Sequence, residues 1–135
     1  GNHSRSHAKV LRGFHMEPWD KLIYVVRGTA LCVVGDTRPD SPTFGQIVSI
    51  LLGDEPGEHA RIFVSQGLSN AFYCFNETDY LNDVSEEFRP EGRRGVIWND
   101  PVLAVDWPDK DPILSKTDAV LPRLEDLFPD HAIFR

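Results

Sequence analysis

The chain has 135 residues, 41% of them apolar and 26% charged, and its formal net charge is -7. That length suits a single domain, residues 1–135, with a core of its own. The acidic balance excludes a surface built to track a nucleic-acid backbone, yet it leaves room for one small anion held by a few local cations.

The first nine residues are polar and rich in His and Ser, unlike a secretory leader. No apolar run approaches the length of a membrane span. A cytoplasmic protein with no membrane and no nucleic-acid partner is expected. Residues 21–26 (KLIYVV) and 29–34 (TALCVV) flank Arg27-Gly28 and predict a β-hairpin. Further strands are predicted at 46–52 (QIVSILL), 60–64 (ARIFV), 70–75 (NAFYCF) and 102–105 (VLAV). Turn-rich clusters bound them, among them 38–42 (RPDSP) and 53–57 (GDEPG). Cys32 and Cys74 sit inside apolar runs and read as buried free thiols rather than as a disulfide framework. One short helix is predicted at 121–128 (LPRLEDLF), where Leu121, Leu124 and Leu127 recur at helical spacing. Short strands at even spacing give an all-β sandwich or barrel with little helix.

The chemistry-bearing residues are sparse. His15 is followed by Glu17, which a strand would place on the same side. Two ligands do not make a metal site, and no metal or other cofactor is expected. There is no phosphate-cradling Gly-rich loop and no Gly-x-Ser-x-Gly elbow. Neither cysteine has a base beside it in sequence. Acid–base chemistry remains. His15 is either a satisfied core histidine or a general base. Lys21 is either a strand-end lysine reaching for solvent or a cation fixed beside a developing oxyanion. Asp118 is either a turn or cap residue or the carboxylate that orients a histidine. The residues alone leave both readings of each open.

Taken in order, several motifs form a set. They are Asn2-His3-Ser4, 10–15 (VLRGFH), Lys21-Leu22, Asp36-Thr37-Arg38, 41–46 (SPTFGQ), 94–101 (RGVIWNDP), Asp106-Trp107-Pro108 and 114–118 (LSKTD). From Asn2 to about Leu124 the chain resembles the dTDP-4-dehydrorhamnose 3,5-epimerase family. The resemblance implies a cupin-type antiparallel jelly roll, a homodimer and a reaction that needs no metal. It implies a nucleotide-linked 4-keto-6-deoxyhexose as substrate, whose C4 ketone acidifies the protons at C3 and C5. His15 matches the family's base, Asp118 the carboxylate paired with it, and Lys21 the lysine that stabilises the enolate oxygen. Arg12 matches a substrate-contacting arginine. Asn2 and Ser4 match polar residues near the nucleotide diphosphate.

The departures from the family are equally specific. The tyrosine that returns the proton on the far face falls at Asn82, and an amide carries no transferable proton near neutral pH. The pocket histidine falls at Asn70, and an aromatic that stacks on the nucleobase falls at Glu87. Tyr80 lies two residues from Asn82, so a regular strand sets both on one face. Tyr80 or water is left to return the proton. The loop after His15 is shorter than in the family, and the family's N-terminal strands are missing. The expected activity is epimerisation or a related isomerisation. The alternatives are a sugar-nucleotide-binding module that kept the fold without the acid, and a cupin acting as a sugar sensor or partner subunit.

Overall fold

The computed structural model describes residues 2–86 and 94–135. Nine strands form among the described residues: β1 (Asn2–Ser6), β2 (Leu11–Met16), β3 (Lys21–Arg27), β4 (Thr29–Asp36), β5 (Ile47–Gly53), β6 (Arg61–Val64), β7 (Leu68–Cys74), β8 (Thr78–Val84) and β9 (Arg94–Gly95). They build two antiparallel sheets, ordered β1-β8-β3-β6 and β5-β4-β7-β2-β9, which face each other as a cupin-type jelly roll. No helix among the described residues is long and apolar enough to cross a membrane.

Alternation along the strands explains the packing. Ile23 and Val25 of β3, Ala30 and Cys32 of β4, and Phe72 and Cys74 of β7 meet between the sheets. Both cysteines are free and buried there, and burial pushes the Cys32 thiol up to about 12. The opposite face of the five-stranded sheet carries Leu11, Val33, Ala71 and Tyr73. It is covered by Val96, Leu103, Trp107 and Leu124 of the C-terminal segment. This sheet is therefore buried on both sides, which is why 29–34 and 70–75 read as nearly continuous apolar runs.

Two expectations are corrected. β3 and β4 do not pair with each other; they belong to different sheets. Gly28, at a φ of 85°, carries the chain from one sheet to the other, and an added Cβ would run into the backbone of Glu77 and Thr78. A two-residue hairpin turn would instead have returned the chain to its own sheet. Residues 102–105 form no strand. The buried Asp100 captures them in a turn: its Oδ1 accepts the N–H groups of Val102 (2.8 Å) and Leu103 (3.0 Å). Its Oδ2 accepts that of Leu124 (2.7 Å). Asp100 thereby ties the predicted helix to the sheet, and that helix, α1, shortens to Leu124–Leu127.

Candidate active site

The site is organised around a distortion in β2. The ladder to β7 pairs Arg12 with Phe72 and His15 with Asn70, with a bulge between. At its centre Gly13 has a φ of 118°, and a Cβ there would lie 2.6 Å from the Asn70 carbonyl oxygen. Glycine is the residue this approach requires. The bulge turns the Gly13 N–H away from the sheet, and it donates to Asp118 Oδ2 at 3.2 Å.

Asp118 arrives from 103 residues beyond His15, and its Oδ1 lies 2.9 Å from His15 Nε2. The carboxylate is 7% exposed and the imidazole 29%. The backbone N–H of Asp118 donates to Ser115 Oγ at 3.0 Å, which holds the turn that presents it. Burial alone would push the Asp118 carboxyl up. Hydrogen bonding and charge from His15, with the Gly13 N–H and Ser115, outweigh that and hold it below the usual carboxylate range. A carboxylate fixed on Nε2 sets the tautomer and leaves Nδ1 as the nitrogen able to take a proton.

Lys21 does not reach for solvent. Its side chain is 3% exposed; Nζ donates to Asn70 Oδ1 at 2.6 Å and lies 3.5 Å from Glu17 Oε1. Asn70 Nδ2 in turn donates to the Tyr80 hydroxyl oxygen at 3.1 Å. The Tyr80 ring stacks on Phe72 with centroids 4.0 Å apart. Burial raises the Tyr80 hydroxyl well above its ordinary range.

Two cavities share His15 and Arg12 as wall residues. The smaller, about 190 Å³, lies between the sheets. It gathers Asn2, Ser4, Arg12, His15, Tyr80 and Asn82, with Glu17. The β1·β8 register sets Asn2 opposite Asn82 and Ser4 opposite Tyr80, which accounts for four of them at once. Arg12 is steadied by Ser6 Oγ, which accepts from Nε at 3.0 Å. The larger cavity, about 610 Å³, opens past Asp118 and Arg94. Asn82 lines the smaller cavity, while its Oδ1 is buried and has no hydrogen-bond partner among the described residues.

The candidate residues among those described thus join one constellation, with Lys21 and Asn70 behind Tyr80 and Asp118 behind His15. Glu87 lies outside the described residues. Sequence reasoning placed Glu17 beside His15 only as a metal ligand. Among the described residues no three His, Cys, Asp or Glu side chains gather to hold a metal, and Glu17 faces Lys21 instead. Ser6 was missed altogether; its place on β1 becomes visible only once β1 pairs with β8.

Residues 1–126 match the family model described as dTDP-4-dehydrorhamnose 3,5-epimerase. The enzyme of that name from Mycobacterium tuberculosis (strain CDC 1551 / Oshkosh) is 40% identical over 134 residues, covering 93% of this chain. The chain spans 65% of the length of that relative. Among solved structures, NovW, a 4-keto-6-deoxy sugar epimerase of Streptomyces spheroides, superposes with a TM-score of 0.90 at 31% identity. That match covers 95% of this chain and 66% of NovW. The Legionella pneumophila dTDP-6-deoxy-D-glucose-3,5-epimerase in complex with dTDP-4-keto-L-rhamnose gives 0.86 at 33%, covering 92% and 68%. Ordered motifs, jelly roll and these matches agree: the chain belongs to the dTDP-4-dehydrorhamnose 3,5-epimerase family.

Proposed function

We propose that this chain, acting as one domain, is an epimerase or related isomerase of a nucleotide-linked 4-keto-6-deoxyhexose. The observation that carries the reading is the His15–Asp118 contact of 2.9 Å on the wall of a cavity backed by Lys21. His15 takes the proton from the carbon beside the C4 ketone. The electron pair passes to the C4 oxygen as an enolate, and Lys21 supplies positive charge on that side of the cavity. Asp118 stabilises the imidazolium as it forms. Asn82 lines the same cavity, and its amide offers a hydrogen-bonding group to a sugar hydroxyl. Arg12, with Asn2 and Ser4 on the wall of the same cavity, supplies the groups to bind the diphosphate.

The same proposal includes a homodimer in the cytoplasm. Apolar side chains left exposed on the edge strands β5 (Val48, Leu51) and β6 (Phe63) support pairing. Sedimentation at micromolar concentration is expected to show a dimer, and a clean monomer would contradict it.

The test of the chemistry is deuterium wash-in from solvent at C3 and C5 across a panel of nucleotide 4-keto-6-deoxysugars. Deuterium is expected at one or both carbons. Measurable binding with no incorporation on any of them would favour the binding module, a reading for which the amide at Asn82 speaks.

A further inference from the structure

The amide at Asn82 raises the question of which group returns the proton. The hydrogen-bond pattern behind the cavity answers it. An ammonium has only donors, so the Lys21 contact commits Asn70 Oδ1 as acceptor. That fixes the amide's orientation and turns Nδ2 to the Tyr80 hydroxyl at 3.1 Å. The Tyr80 oxygen therefore accepts from Asn70, and its own hydrogen is left to point elsewhere. Tyr80 lines the cavity that holds His15, and the stack on Phe72 fixes its ring. The two residues hang from different sheets, His15 from β2 and Tyr80 from β8.

The other polar groups of that cavity are poorer donors. Asn82 has no transferable proton. Ser4 carries an ordinary alcohol. Glu17 follows His15 on the same segment, and its carboxylate faces the Lys21 ammonium.

We propose that Tyr80 is the proton donor on the sugar face opposite His15, displaced along β8 from the position that Asn82 now fills. The inference rests on the isomerase reading above. The step balances as follows. The C–H bond breaks toward His15, and its electrons form the enolate. The Tyr80 O–H bond then breaks, and its proton forms the new C–H bond as the ketone is restored. The phenolate left behind keeps the Asn70 N–H, which Lys21 polarises from the far end of the amide. Proton exchange with water returns both groups to their starting states. Two residues along a strand is about 7 Å of backbone, a distance the long phenol side chain offsets better than a short one would.

The experiment compares the full chain with Tyr80→Phe, reading deuterium wash-in and inversion separately on the same nucleotide 4-keto-6-deoxysugar. Exchange is expected to persist in Tyr80→Phe, since His15 can return the deuteron to the face it came from. Inversion is expected to fall about a hundredfold or more, the usual worth of a positioned acid. Persisting exchange also shows that the variant is folded. Site-specific 3-fluorotyrosine at position 80, which keeps the ring volume and acidifies the phenol, is expected to shift the alkaline limb of the inversion profile to lower pH. Unchanged inversion in Tyr80→Phe, loss of exchange together with inversion, or an unmoved alkaline limb overturns the proposal. So does a wild-type chain that exchanges without inverting, and that result leaves His15 as base intact. A wild-type chain that neither exchanges nor inverts overturns the isomerase reading itself.

Discussion

As the proposed base, His15 depends on the carboxylate behind it. In Asp118→Asn an amide N–H can face Nε2 and hold the imidazole in the opposite tautomer. Exchange is expected to fall a hundredfold or more, with the circular dichroism unchanged. The Asp118 carboxyl is held below the usual carboxylate range. Its contribution to stability is therefore complete above the unfolded value, about 3.9, and is lost as pH falls through the folded one. Denaturant midpoints of the wild type and Asp118→Asn are expected to differ most at neutral pH and to converge in acid. Lys21 belongs to the same scale. In the proposed mechanism Lys21→Met removes the positive charge offered to the enolate, and about a hundredfold loss of exchange is expected, measured on the same substrate. The buried Glu17 and Asn70 then lose their cationic partner, so the melting temperature is expected to fall as well.

At the scale of elements, the bulge in β2 joins fold to site. Gly13→Ala places a Cβ 2.6 Å from the Asn70 carbonyl at a φ of 118°. Strain of this kind costs on the order of 1–3 kcal/mol, and a lowered denaturant midpoint together with slower exchange is the expected outcome. The strands around the bulge were unequally legible. β4 and β7 announce themselves by apolar runs because both of their faces are buried. β1 and β8 do not, since Asn2, Ser4, Tyr80 and Asn82 are polar for the sake of the cavity they line. The tie between β3 and β4 misleads for a different reason. A glycine between two apolar runs marks a change of direction, and local sequence carries nothing about which sheet the second run joins. The roles of His15, Lys21 and Asp118 stayed ambiguous on residue type alone. The ordered motifs of the family pointed to function rather than packing, and the 102 residues between His15 and Asp118 had hidden their contact.

For the molecule as a whole, the C-terminal segment is both a cover for the core and the carrier of Asp118. Leu124 is fully buried against the five-stranded sheet, and its N–H is fastened to Asp100. Ile97 N–H donates to the Pro122 carbonyl at 2.8 Å, which closes the same segment from the other side. Leu124→Ala is expected to cost about 2–5 kcal/mol, read as a lower denaturant midpoint. Near that midpoint exchange is expected to fade before the β-sheet signal does, since the segment that holds Asp118 loosens first. The long reach between His15 and Asp118 also has a temporal meaning. A ribosome releases β1 to β9 before it releases residue 118, so the sheets can assemble around a histidine that has no carboxylate behind it. Closing so large a loop is a late event in folding, and His15 gains its carboxylate partner only when the segment carrying Asp118 docks.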